Sequence, residues 1–147
     1  VGLCAIQARM SIEIAYATPL LIKSFWNTLG AVARELVYIE LIDAPEFSKT
    51  EEFQKNMMAK NWPAYYAIEG GKVVGWADIS PFMGPRVCHR GSLGMGILQE
   101  YRGQGIGTRL LQAAVAHARQ IGLEKVELTV YTSNTAAIAL YRKLGFE

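Results

Sequence analysis

The chain has 147 residues, 51% hydrophobic and 19% charged, which is enough for one sizeable core and excludes a disordered chain. A net charge of +2, with Lys and Arg scattered and not striped along one face, excludes the basic footprint of a nucleic-acid or anionic-membrane binder. Cys4 and Cys88 are too few for a disulfide framework and form no C-x-x-C, so a reduced, cytoplasmic setting is expected.

Glu13, Pro19 and Lys23 interrupt the longest apolar run before it reaches a membrane span. Residues 1–9 lack the basic and apolar regions of a signal peptide, and Met10-Ser11-Ile12-Glu13-Ile14 reads more like a natural start. Those nine residues are therefore set apart within a single expected domain, 1–147. Ser11 to Ala17 alternates and predicts a strand. Thr18-Pro19 supplies an N-cap and a first-turn proline for a helix running to Leu36. Tyr38 to Phe47 is an irregular connection carrying Glu40, Asp43 and Glu46. Ser48-Lys49-Thr50-Glu51 has the letters of a capping box, opening a second helix that ends before Trp62-Pro63.

Ala64–Glu69 and Lys72–Ser80 are β-rich runs split by Gly70-Gly71, a two-residue hairpin signal. After a loop from Pro81 to Arg90, Ser92 to Leu98 predicts a strand holding Gly94 and Gly96. Glycines inside a strand weaken it unless a bulge or a closely approaching backbone requires them. Ile106, Leu110, Leu111, Ala114, Val115, Ala118 and Ile121 recur at helical spacing, with Gly122 as the stop. Val126–Thr132 predicts a strand, and Asn134 caps a last helix from Thr135 to Leu144, closed by Gly145. The order β-α-α-β-β-β-α-β-α is that of a mixed α/β domain, a central sheet flanked by helices.

The densest chemical signal is Glu100-Tyr101-Arg102-Gly103-Gln104-Gly105-Ile106-Gly107-Thr108, between a strand and a helix. Alternate glycines bare consecutive main-chain N–H groups, and the first N–H groups of a helix lack internal partners at its positive dipole end. Such a place binds phosphate. The letters fit neither the Walker loop nor the G-x-G-x-x-G dinucleotide fingerprint.

Further on, Asn134, Ala137 and Tyr141 share one helical face, with a small residue leaving room between two polar ones. Asn134 also reads as a plain cap, and Tyr141 as a half-buried anchor. Arg102-x-x-Gly105-x-Gly107, followed by Ser133-Asn134-x-x-Ala137-x-x-Leu140-Tyr141-x-x-x-Gly145-Phe146, resembles the two signature motifs of the GNAT superfamily of acyl-CoA-dependent N-acyltransferases. The resemblance covers roughly residues 11–146.

That resemblance implies acetyl-CoA as acyl donor, with no metal. It places the donor against Ile97, Leu98, Arg102, Gly103, Gln104, Gly105, Ile106, Gly107, Thr108, Asn134, Ala137 and Tyr141. The strand before the loop is expected to bulge and splay from its neighbour, with an N–H near Ile97 or Leu98 holding the oxyanion. Tyr141 is the implied general acid, suited by an unperturbed pKa of ~10 to protonate a departing thiolate. Transfer is direct, and neither cysteine lies in a motif. The stretch Gly91-Ser92-Leu93-Gly94 has no carboxylate, so Asp78 on the neighbouring strand is the first candidate base and His89 the second. Glu40, Asp43 and Glu46 are either an attraction for a cationic amine or an exposed acidic loop.

The implied acceptor is a primary amine of an amino-acid-like molecule or a protein N-terminus, with no nucleic acid or membrane as partner. The alternative is a non-catalytic acyl-CoA-binding sensor. The resemblance also implies two strands beyond Gly145-Phe146, where this chain stops at Glu147. One arrangement has residues 1–9 supply a strand instead, within the chain or to a partner in a homodimer.

Overall fold

Five strands, β1 (Glu13–Tyr16), β2 (Ala64–Glu69), β3 (Lys72–Pro81), β4 (Arg90–Ile97) and β5 (Lys125–Glu127), pair in that spatial order in the computed structural model, which describes Gly2 and residues 11–147. The suggestion that residues 1–9 add a strand lies outside the described residues. Neighbours from β1 to β4 are antiparallel and β4–β5 is parallel. Gly70 and Gly71 take φ of 54° and 78°, the positive values that a tight two-residue hairpin demands at both positions. A parallel pair needs a crossover, which α3 (Ile106–Gln120) supplies between β4 and β5.

The helices α1 (Ile22–Ala33) and α2 (Phe47–Ala59) cover one face, packing Phe25, Val32 and Met57 against Ala64, Tyr66, Val73 and Trp76. On the other face α3 buries Ile106, Leu110, Leu111, Ala114 and Ala118 against Ala67, Val74, Ala77, Ile79 and Leu93. Tyr141 of α4 (Thr135–Lys143), with Leu144 and Phe146 just beyond it, extends that second core. The expected element order and fold class are those observed, with short 3-10 turns added at Pro19–Leu21 and Gln99–Tyr101.

A bulge does occur, but one strand away from where the glycines suggest it. Ala67 pairs with Gly75 while Ile68 pairs with Val73, leaving Val74 as the extra residue of β3. This shifts the alternation, so Val73 and Trp76, three apart, both face α1. The β3–β4 register runs without a break from Pro81↔Gly91 to Gly75↔Ile97. The glycines of β4 instead make room for side chains: a Cβ at Gly96 would collide with the Trp76 indole, and one at Gly94 would stand 3.2 Å from Asp78 Oδ1.

Local signals are overridden at several ends. Thr18 makes no side-chain cap, and α1 stops at Ala33, with Leu36 in the left-handed region at φ 62°. The capping box is not formed either. Helix α2 opens two residues earlier, at Phe47, with Glu46 as the cap and without a side-chain bond. Phe47 packs edge-on against Trp26 at 5.8 Å, and Lys23 Nζ lies 4.4 and 4.5 Å from the two ring centroids, so aromatic packing draws the start upstream. The strand expected over Val126–Thr132 is only Lys125–Glu127. Arg90, Gly91 and Ser92 of β4 pair with it, and Arg90 closes the end with a 3.0 Å ion pair to Glu127. Beyond Ser92, β4 and the segment after β5 part.

Candidate active site

The parting of β4 and the chain after β5 opens a cavity of about 900 Å³. Its walls are Leu93–Ile97, the loop from Tyr101 to Thr108, Leu128–Val130, the face of α4 from Asn134 to Tyr141, and Val37–Leu41 of the α1–α2 connection.

The loop is shaped by two left-handed glycines, Gly103 at φ 74° and Gly105 at φ 79°, either side of Gln104. No atom lies within 4 Å of a Cβ built on either one, so glycine is needed there for backbone conformation and not for space. Alternating hand turns successive N–H groups into one concavity, an anion-binding nest. The first main-chain bond of α3 runs from Arg109 N to Gly105 O at 3.2 Å. Among the described residues, the N–H groups of Gly103, Gln104, Gly105, Ile106, Gly107 and Thr108 have no hydrogen-bond partner. Gly107 is different: its Cβ would sit 3.1 Å from Leu140 and 3.3 Å from Ile97 side chains, so it is the close-packing point of α3 with α4 and β4.

The edge of β4 supplies a second set of main-chain groups. Phe82 N donates to Arg90 O and Leu98 N to Val74 O, each at 2.9 Å, so even-numbered residues of β4 bond to β3. By antiparallel alternation the main chain of Leu93, Met95 and Ile97 turns the other way, into the gap. Leu98 thus departs from the expectation: its N–H is spent on the bulge carbonyl, and Ile97 holds the gap-facing position. Leu98 contributes its buried side chain.

On α4, Asn134 Oδ1 accepts from Ala137 N at 3.2 Å, so Asn134 caps the helix and also lines the cavity, where its amide NH₂ is the part left over. Tyr141 lines the same cavity, its ring edge-on to Phe146 at 5.8 Å, and burial raises its phenol above the usual value. Arg102 is committed elsewhere. Its Nε donates to Ile97 O at 3.0 Å, its two terminal nitrogens donate to the two carboxylate oxygens of Glu35, and it stacks over Tyr38 at 4.0 Å.

Asp78 lies on β3 opposite Gly94, on the sheet face that α1 and α2 cover. Burial pushes its carboxyl up to about 7, and it sits near the Tyr66 phenol, which donates to Gln54 Oε1 at 2.8 Å. It stands behind Gly94, which lines the cavity and carries no side chain to cover it. His89 is not brought to the site. It is exposed at the far end of β4, where its carbonyl binds the N–H groups of Glu124 and Lys125, about 20 Å along the strand from Met95 at ~3.3 Å per residue. The acidic trio also divides. Glu40 lines the cavity; Asp43 pairs with Arg34 at 2.8 Å and accepts from Ala44 N, which holds its carboxyl low; Glu46 caps α2.

Apart from Glu40, the wall Val37–Leu41 carries no sequence signal, because an irregular connection has no period to read, and Glu35 reads only as part of the first helix. Among the described residues, no group of three or more His, Cys, Asp or Glu could hold a metal ion, and no helix is long and apolar enough to cross a membrane.

The profile of the Acetyltransferase (GNAT) family matches residues 34–146. The chain belongs to the GNAT family. This GNAT chain is 31% identical over 105 residues to a mycothiol acetyltransferase of Propionibacterium freudenreichii, covering 66% of the chain and 33% of that protein. It is 32% identical over 113 residues to an N-alpha-acetyltransferase of Sulfurisphaera tokodaii, covering 61% of the chain and 68% of that protein. Its fold matches a GNAT-family acetyltransferase of Streptococcus pneumoniae with a TM-score of 0.85 at 29% identity, over 93% of this chain and 84% of that one. The chain spans about a third of the length of the mycothiol acetyltransferase it matches. The GNAT fold is the mixed five-stranded sheet flanked by helices described above.

Proposed function

We propose that this GNAT domain transfers an acetyl group from acetyl-CoA to a primary amine of an amino-acid-like molecule or a protein N-terminus. The observation that carries the reading is the run of unpartnered N–H groups from Gly103 to Thr108. It opens onto the same cavity as the free edge of β4 and the Tyr141 phenol. A diphosphate suits that run, because the donors are main-chain dipoles at a helix start, already oriented and free of a Cβ. A chain of alternating amides suits the gap-facing main chain of Met95 and Ile97, which offers both donors and acceptors. Acetyl-CoA, when bound, supplies an acetyl group activated as a thioester.

The chain's own groups then have separable tasks. The N–H of Ile97 is the donor turned toward negative charge building on a carbonyl oxygen in the gap. Tyr141, a phenol protonated at neutral pH and raised further by burial, holds the proton that a departing thiolate takes up. Asp78, with its carboxyl near 7, is matched to proton pick-up around neutral pH, directly or through water across Gly94. Glu40 adds negative charge on the wall facing an incoming ammonium. The relatives, a mycothiol acetyltransferase and an N-alpha-acetyltransferase among them, support an amine acceptor.

A thiol-release assay with acetyl-CoA against amino acids, their analogues and short peptides tests the reading. Amine-dependent thiol release is expected. Tight acetyl-CoA binding by calorimetry, with no release against any amine, would support the sensor instead.

A further inference from the structure

We propose that Arg102 is a positioning residue which, through Glu35 and Tyr38, locks the α1–α2 connection to the cofactor loop and so sets the acceptor side of the cavity. The proposal rests on the functional reading above. Arg102 stands between the turn Gln99–Tyr101 and the glycine loop, and its guanidinium is taken up by Ile97 O and Glu35. One planar group grips three elements at once. Nε holds Ile97 O at the end of β4, the terminal nitrogens fork onto both oxygens of Glu35, and the flat face covers Tyr38. The side chains of the pair are 26% and 25% exposed, so water screens them less than an open surface pair.

Glu35 and Tyr38 flank the point where the connection turns into the cavity wall. Between them, Leu36 is left-handed at φ 62° and exposed, a conformation that a leucine keeps only if its surroundings hold it. Immediately afterwards Val37 to Leu41, including Glu40, line the cavity. The other end of the connection is tied separately. Trp26 Nε1 donates to Pro45 O at 2.7 Å, and Arg34 pairs with Asp43 at 2.8 Å. The span between, 39–42, is held in place from its N-terminal side by the Arg102 clasp. A fork that reads both carboxylate oxygens depends on arginine, and lysine cannot reproduce it.

Hydrogen exchange and kinetics on Glu35→Gln, Arg102→Lys and the double variant test the clasp. In both single variants, amides from Leu36 to Ile42 are expected to exchange at least about tenfold faster, with α3 and the sheet unchanged. Acceptor KM is expected to rise about five- to twentyfold while the acetyl-CoA dissociation constant moves less than about threefold. The double variant is expected to be no worse than either single, since both break one unit. Unchanged exchange over 36–42 would overturn the clasp, as would additive losses in the double variant. Faster exchange with an unaltered acceptor KM would overturn its role in setting the acceptor side. If the parent acetylates no amine at all, the functional reading fails, and the exchange data still report on the clasp.

Discussion

A hydroxyl and a carboxyl carry the chemistry proposed here, and burial raises both. Burial raises the Tyr141 phenol above its usual value, so it holds its proton throughout the neutral range. Tyr141→Phe keeps the ring and its contact with Phe146 but removes that proton. Turnover is expected to fall on the order of 10²-fold, with acetyl-CoA affinity nearly intact, as steady-state kinetics and calorimetry would show. Asp78 gives a second, pH-resolved test. Its carboxyl rises from 3.8 unfolded to about 7 folded, so between those values the folded state holds a proton that the unfolded state has released. Stability due to Asp78 is therefore present at low pH and lost as pH rises through about 7, with a steepest slope of roughly 1.4 kcal/mol per pH unit. Urea denaturation across pH should show Asp78→Asn flattening that slope and exceeding the parent in stability above pH 7. The rising limb of kcat/KM near neutrality should disappear in the same variant. A limb that persists would remove Asp78 from the base role.

At the scale of elements, two substitutions separate binding from packing. Gly105 opens α3 in the left-handed region with empty space around it. Gly105→Glu therefore leaves the fold standing, at a backbone strain of about 1–2 kcal/mol, while putting a side chain and a negative charge into the nest. Calorimetry is expected to show loss of acetyl-CoA binding with the circular dichroism spectrum retained. Gly96→Ala does the reverse. Its methyl meets the Trp76 indole across β3–β4, so the cost falls on stability, about 1–3 kcal/mol by urea denaturation. Helix starts at this scale show why local letters mislead. The capping-box sequence at Ser48 is overruled by Phe47, whose ring finds Trp26 and Lys23 and starts the helix two residues early.

For the whole molecule, what was legible in the sequence is whatever repeats or turns. Helical periods placed α3, Gly70-Gly71 placed the hairpin, and alternate glycines with Arg102 and a later Asn-Ala-Tyr face marked the two motifs. The structure brings those motifs to one cavity. What could not be read depends on contacts between distant segments. The bulge at Val74 follows from β2–β3 register, and no local pattern announces it. The early end of β5 follows from the parting that opens the cavity. The grip of Glu35 on Arg102 joins residues 67 apart in the chain. His89 had suitable chemistry and the wrong end of the strand.

The most direct test of the central claim is a titration of ¹⁵N-labelled protein with acetyl-CoA, followed by amide chemical shifts. Large shifts are expected at Gly103–Thr108 and at Met95 and Ile97, with the even-numbered positions of β4 and Leu98 nearly still. Saturable binding that instead moves amides at a separate cavity of about 440 Å³ lined by Phe82, Gly84 and Leu123, or leaves Gly103–Thr108 unmoved, would contradict it.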